Sequence, residues 1–410
     1  MIRNIAIVGA NMAGARAAEA LRGAGYDGRI HLVGDEPWRP YERPPLSKEL
    51  LWHDGAPPET FYLHDEAWYE ANRIELRLGV RADTIDLSAG AIGLASGERI
   101  DADRILLATG GAARRLPLDG ADAVNVHHLR TYDDALRLAG DLRPGARIVV
   151  IGMGVIGAEV AASARRIGCE VTAIEPFAAP MVRTIGEHFG GWLGEYHRTQ
   201  GVRSLFGRSV AALRRDGVRV NAVELDDGEL VPCDAIVVGI GIVPAIELAA
   251  SAGLAVGNGI VVDAQCRASN PNVFAAGDVA EQPDFFGGRV RLETYQNAAE
   301  QGAAAASGML GLPVEYCRPC WFWSDQYDLN IQCTGRIDAE KQVVLRGRME
   351  DGAFSAFFLS DGVVTGALTA NRPSDMGIAK RLVERRTQID AAHLADVDTP
   401  LREILKRATA

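Results

Sequence analysis

The chain has 410 residues, 48% of them hydrophobic, enough for two or three buried cores. Its formal net charge of −11 argues against non-specific nucleic-acid binding and gives no general attraction to acidic partners, which would need a local basic patch. The chain opens directly on an apolar strand with no room for a signal segment, so a cytoplasmic protein off the membrane is expected.

Residues 2–8 are a continuous apolar run that predicts a strand, followed by helical character over 13–24 and a second strand at 30–33. Residues 104–110 form another apolar strand, ending in Thr109-Gly110. The opening pattern recurs further on: strand 148–151, helix from about 157 to 167, strand 171–174. Residues 235–241 repeat the 104–110 layout. The apolar stretch 235–262 could suggest a membrane span, but Gly239, Gly241, Pro244 and Glu247 make it strand, loop and short helix. Residues 270–278 read as turn, buried strand and a terminal Gly277-Asp278. Beyond about residue 319 the pattern changes. Alternating segments 342–346 and 354–359, split by Asp361-Gly362, suggest antiparallel strands, and a basic helix over 378–386 follows. The fold class is therefore α/β: two Rossmann-like units plus a smaller α+β C-terminal domain.

Six cysteines occur, none before Cys169. Cys317 and Cys320 match C-x-x-C, but they lead into Trp321-Phe322-Trp323 rather than a helix. No further ligands of a zinc site stand nearby, so the match is read as coincidence and no metal is expected.

Two glycine loops carry the chemistry. Gly152, Gly154 and Gly157 complete G-x-G-x-x-G, with Val155 and Ile156 opening the helix; the first loop has Gly9, Asn11, Ala13 and Gly14, with asparagine at the middle position. In such a loop the first glycine makes the turn, the second admits the pyrophosphate, and the third lets helix pack on strand. An acid ending the second strand then meets ribose hydroxyls. Gly14 to Asp35 is 21 residues and Gly157 to Glu175 is 18, both near the expected 20. Two glycine turns without a ligand are the alternative; the strand, helix and acid around each weigh against it. Glu175 would repel a 2′-phosphate, and the next basic residue is Arg183, so NADH is favoured over NADPH.

Arg43-Pro-Pro-Leu-Ser-Lys48, both loops, Ala108-Thr109-Gly110, Ala276-Gly277-Asp278 and the Trp321–Asp328 stretch together resemble the NADH-dependent ferredoxin reductases of oxygenase systems. These belong to the glutathione-reductase-like flavoproteins, and the resemblance spans essentially the whole chain. It implies an FAD domain from 1–112 and 244–318, an inserted NAD domain at 113–243, and a C-terminal domain at 319–410. It further implies that FAD meets Gly9, Asn11, Ala13, Gly14, Asp35, Arg43, Lys48, Ala82, Ala108, Thr109, Gly110, Arg130, Gly277, Asp278, Tyr295 and Trp323. NADH would meet Gly152, Gly154, Val155, Ile156, Gly157, Glu159, Glu175, Arg183, Gly239 and Gly241. Two departures stand out: Asn11 replaces the middle glycine, and Ala179 stands where the family often has arginine. Asn11 is expected to adopt a glycine-like backbone, which Asn tolerates better than most residues.

Hydride transfer is a positioning task. Lys48 and Glu159, which the resemblance implies as a flavin-side lysine and its carboxylate, are the catalytic candidates: a cation beside the flavin stabilises its reduced form, and a buried lysine needs a counter-charge; the alternative is that each is a solvated charge on its own element. Disulfide reductases of this fold keep redox cysteines in the segment that here reads 43–48, which has none, so electrons must leave the flavin directly. A [2Fe–2S] ferredoxin is the expected acceptor; Trp321 and Trp323 would line the flavin's exposed side, or, in the alternative, be core aromatics of the C-terminal domain. Lys380, Arg381, Arg385 and Arg386, with Arg372 and Arg336 near them, would steer that acidic partner; an ordinary solvated helix is the alternative. The alternatives are a rubredoxin reductase, an NADH oxidase, or an NADH-sensing flavoprotein with no productive acceptor.

Overall fold

In the computed structural model, which describes residues 2–53, 55–58, 60–338 and 341–408, the chain divides into two compact units. The first comprises Met1–Glu42, Glu59–Ala112 and Val243–Cys320; the second comprises Arg43–Pro58, Ala113–Ile242 and Trp321–Ala410.

The first unit is built on the opening strand, Asn4–Val8. It lies at the centre of a five-stranded parallel sheet, between Arg29–Val33 and Arg104–Leu107, with Ile74–Arg77 and Val273–Ala275 at the edges. Its residues are buried on both faces, as a parallel strand covered on each side must be. Ile5 and Ile7 pack toward helix Met12–Gly23 and Phe274, while Ala6 and Val8 pack toward a second core with Ile92, Leu107 and Val273. Two three-stranded sheets flank it: Ala82–Asp86 with Ala91–Leu94 and Arg99–Asp101, and Ile260–Val261 with Ala280–Pro283 and Arg289–Arg291.

The second unit repeats the arrangement around Arg147–Ile151. This strand lies between Glu170–Glu175 and Ala235–Val238, with Arg203–Phe206 and Val126–His128 at the edges, all parallel. The residues beyond Cys320 form a five-stranded antiparallel sheet in the order Trp321–Gln326, Leu329–Gly335, Val363–Ala370, Ala353–Ser360, Gln342–Arg348. Ile148, Val150 and Phe189 share one core with Ile331, Phe354 and Phe358 of this sheet.

The antiparallel strands form as expected, with one change in connectivity. Asp361-Gly362 does not split 342–346 from 354–359. Both residues have positive φ, 52° and 76°, and turn Ala353–Ser360 back into Val363–Ala370, as an Asp-Gly hairpin turn does. Met349–Asp351 makes the earlier reversal. The basic helix also ends sooner than expected. It runs Pro373–Glu384, so Arg385 is its C-cap and Arg386 lies beyond it at φ 48°. The apolar stretch 235–262 resolves into strands, loop and the short helix Glu247–Ser251, and no helix among the described residues is long and apolar enough to cross a membrane.

Candidate functional site

Both glycine loops are built by the same close approaches. Gly9 and Gly152 leave their strands with φ of 123° and 88°. A Cβ on Gly9 would lie 2.1 Å from the Ala108 carbonyl oxygen, and one on Gly152 would lie 2.6 Å from that of Gly239. The third glycines are tighter: a Cβ on Gly14 would meet the Gly9 oxygen at 2.0 Å, and one on Gly157 the Gly152 oxygen at 1.9 Å. Gly154 differs, since a Cβ there would meet nothing nearer than 4.0 Å. Its side faces open space at the N-terminus of helix Val155–Ile167, which has no side-chain cap. Backbone N–H groups and helix dipole are thus available to a diphosphate. Ile156, at the head of that helix, is 42% exposed, and Gly241 on the neighbouring turn also opens on free space.

Asn11 corrects the expectation. Its φ of −137° and ψ of −167° are ordinary extended backbone, not the left-handed region. It is the N-cap of helix Met12–Gly23: Oδ1 accepts from the N–H groups of Ala13 and Gly14 at 3.1 and 3.3 Å. Its Nδ2 donates to the Ala108 carbonyl at 2.6 Å. Asn stands at this position for its side chain, which ties the loop to the strand end at Ala108-Thr109.

The ribose acids differ as well. Asp35 is exposed just past its strand. Glu175 is buried, with Oε2 accepting from Met153 N at 2.7 Å and Oε1 from Phe177 N at 3.0 Å. Arg183 lies over the Phe177 ring, 4.9 Å from its centroid. Ala179, where arginine was looked for, is buried.

Lys48 and Glu159 do meet. The two prolines after Arg43 start a tight turn, Pro44–Ser47, that delivers Lys48; Glu159 sits two residues past Gly157 on its helix. Nζ of Lys48 is 2.9 Å from Oε2 of Glu159, and the residues are 6% and 3% exposed. The carboxylate accepts two further bonds, from Ser47 Oγ to Oε2 at 2.5 Å and from Ser324 Oγ to Oε1 at 2.8 Å. Ser163 Oγ donates to the Ser47 carbonyl at 2.6 Å. Arg43 donates to the Arg130 carbonyl, tying this turn to the segment before helix Tyr132–Asp141.

Within the first unit, Thr109 Oγ1 donates to the Ala245 carbonyl at 2.8 Å, and Ala82 is buried at the start of its strand. The N–H of Gly277, at φ 80°, donates to Gln301 Oε1 at 2.8 Å. Gln301 donates in turn to Gln282, and Gln282 Nε2 to Asn297 Oδ1 at 3.1 Å, so buried amides hold the Gly277-Asp278 turn. Tyr295 OH donates to Glu42 Oε1 at 2.9 Å. Burial raises the Glu42 carboxyl, and the Tyr295 bond pulls it back.

In the C-terminal sheet Trp321 and Trp323 stack at 5.4 Å, with Lys380 Nζ 4.3 Å above the Trp321 ring. Arg381, Arg385 and Arg386 are exposed. Arg372 is held within the fold, donating to the Ala353 carbonyl at 3.4 Å, while Arg336 is exposed beside the sheet. Burial pushes the Cys320 thiol up to about 11, and Cys317 donates to the Pro283 carbonyl.

Sequence reasoning found Lys48 and Glu159 but not what surrounds them. Ser324 and Gln326 are alternate residues of one strand and face inward, so buried polar residues at period two were the available signal. His197, fully buried on helix Val182–Thr199, and the Gln282, Asn297 and Gln301 amides left no such trace.

Residues 3–302 match the pyridine nucleotide-disulphide oxidoreductase family, and residues 321–405 match a reductase C-terminal domain. The biphenyl dioxygenase system ferredoxin–NAD(+) reductase component of Paraburkholderia xenovorans (strain LB400) is 40% identical, over 99% of each chain. Rhodocoxin reductase of Rhodococcus erythropolis is 37% identical, over 98% of this chain and 95% of that protein. Among solved structures, the covalent putidaredoxin reductase–putidaredoxin complex matches with a TM-score of 0.96 at 34% identity, covering 100% of this chain and 99% of that one.

Proposed function

The chain belongs to the pyridine nucleotide-disulphide oxidoreductase family, and we propose that it is the NADH-dependent reductase of a [2Fe–2S] ferredoxin that supplies an oxygenase. It is an oxidoreductase that uses FAD and NADH. Its residues fit two dinucleotides: two glycine loops open helices, Gly154 leaves a cradle that a Cβ would fill, and Asp35 stands exposed just past the second strand, Arg29–Val33. FAD supplies the conversion between hydride transfer from NADH and release of single electrons.

The observation that carries this reading is the buried Lys48–Glu159 pair at 2.9 Å, in the segment where disulfide reductases of this fold keep their cysteines. The first cysteine is Cys169, and it is buried with its thiol raised by desolvation. Without a thiol relay, electrons pass from the flavin to an external one-electron acceptor. Gly9, Asn11, Ala13, Gly14, Asp35, Thr109, Gly277 and Asp278 hold FAD in this reading, and Lys48 presents its charge to the ring. Gly152–Gly157, Glu175 and Arg183 hold NADH. Arg381, Arg385 and Arg386 receive the acidic partner beside the Lys380–Trp321–Trp323 stack.

Anaerobic stopped-flow reduction with NADH and NADPH separately, followed by mixing with [2Fe–2S] ferredoxins and a rubredoxin, tests the proposal. Fast reduction by NADH and turnover with a ferredoxin are expected. Preference for rubredoxin, or flavin reduction with no acceptor turned over, would replace the reading.

A further inference from the structure

The Glu159 carboxylate is the end of a longer buried chain. Ser324 Oγ, its donor, accepts from Gln326 Nε2 at 3.0 Å. Gln326 Oε1 lies 2.9 Å from His197 Nε2, and His197 Nδ1 lies 2.9 Å from Tyr327 OH. Ser324, Gln326 and His197 are all 0% exposed, so water cannot substitute for a missing member.

Chemistry fixes the direction of every bond. An amide oxygen only accepts, so His197 must carry its proton on Nε2. Burial keeps the ring neutral by lowering its pKa to about 4. Nδ1 is then an acceptor, and Tyr327 donates to it. From tyrosine to carboxylate each member donates to the next, so the dipoles align and the bonds reinforce one another toward Glu159. Tyr327 reaches His197 from the turn of a strand pair with φ at 58°, a left-handed conformation unfavourable for a bulky residue.

We propose that His197, Gln326 and Ser324 are positioning residues for flavin reduction: a one-way donor chain that fixes the Glu159 carboxylate and, through it, the Lys48 ammonium. This rests on the assignment of Lys48 to the flavin. The Gln326 amide does not pass a proton from His197 to Ser324, so the chain holds a charge in place and is not a proton relay.

The test uses the FAD-loaded enzyme with Lys48→Met, Ser324→Ala, Ser324→Thr and Gln326→Leu. The readouts are FAD occupancy, flavin midpoint potential and the rate of reduction at saturating NADH. Both Ser324→Ala and Gln326→Leu are expected to keep FAD and move the potential in the direction that Lys48→Met does; Ser324→Ala, which loses a bond to the charged Glu159, should slow reduction about tenfold, and Gln326→Leu, which loses the donor behind Ser324, by less. Ser324→Thr, which keeps the hydroxyl, restores both. If Lys48→Met changes rate and potential while Ser324→Ala and Gln326→Leu match the wild type, the chain is refuted and the Lys48 assignment survives. If Lys48→Met itself changes neither, both fall. A ¹⁵N spectrum of His197 at neutral pH gives an independent check. A proton on Nε2 supports the chain, and one on Nδ1 overturns it.

Discussion

Glu175 accepts a 2.7 Å hydrogen bond from the N–H of Met153, the residue between the first two glycines of the complete loop. The acid expected to meet a ribose thus also braces the turn proposed to face the diphosphate, and its other oxygen accepts from Phe177 N. Bonds from backbone N–H to a carboxylate are among the stronger ones, each worth about 1.5–3 kcal/mol. Glu175→Ala should therefore weaken NADH binding at both ribose and diphosphate, raising KM for NADH at least about tenfold with little change in kcat. Steady-state kinetics with a dye acceptor measures this. Glu175→Ala should also narrow the gap between NADH and NADPH, because the charge that repels a 2′-phosphate is gone. An unchanged preference would place discrimination elsewhere.

Asn11 makes the opposite compromise in the first loop. Its carboxamide caps helix Met12–Gly23 and holds Ala108, so the loop is braced from within rather than by the acid of the next strand. Asn11→Ala should destabilise the FAD-free protein by about 1 kcal/mol, the usual cost of losing an N-cap, measured by denaturant unfolding. Asn11→Gly should recover much of that loss, since glycine is itself an acceptable cap. FAD affinity is not expected to rise in Asn11→Gly. Much tighter binding would mean that Asn11 obstructs the cofactor.

The contrast shows what could be read ahead of the structure. The glycine spacings and the strand-terminal acids are short patterns whose meaning is local, and they placed both loops; Glu159 as the partner of Lys48 came from the family resemblance, and the two do meet. The conformation of Asn11 was misjudged because a residue replacing glycine suggests a glycine-like backbone. Its real role depends on Ala108, 97 positions away. The same limit hid Gln301 beneath Gly277 and His197 behind Gln326, since each is recognisable only from a partner distant in sequence. Helix Pro373–Glu384 ended early because charged residues at 385 and 386 look alike whether they continue a helix or cap it.

The proposed docking face has a simple charge test. Arg381 and Arg385 are exposed, whereas Lys380 is engaged with the Trp321 ring. Arg381→Glu with Arg385→Glu should raise KM for a ferredoxin about tenfold at low salt while leaving dye reduction unchanged. The difference should shrink as ionic strength rises and screens both proteins. Equal loss in the ferredoxin and dye assays would show damage to the flavin side and remove support for this face.

His197 also gives a pH dependence with a definite sign. The folded protein holds its pKa at about 4, through burial that disfavours the cation, against about 6.5 for an exposed imidazole. Above the unfolded value both states are neutral and the residue costs nothing. Between the two values the unfolded chain takes up a proton that the fold refuses, so stability falls as pH is lowered, by at most about 1.4 kcal/mol per unit. Below the folded value the loss levels off. His31 and His128 are shifted downward by burial too, so the wild-type curve contains their contributions. His197→Gln retains a donor toward Gln326 without titrating, so the difference between the two curves isolates His197. That difference should open as pH falls through the window and stay flat above it. Protonation would also turn Nδ1 from acceptor to donor against Tyr327 OH, so acid stress should disturb the far end of the chain first.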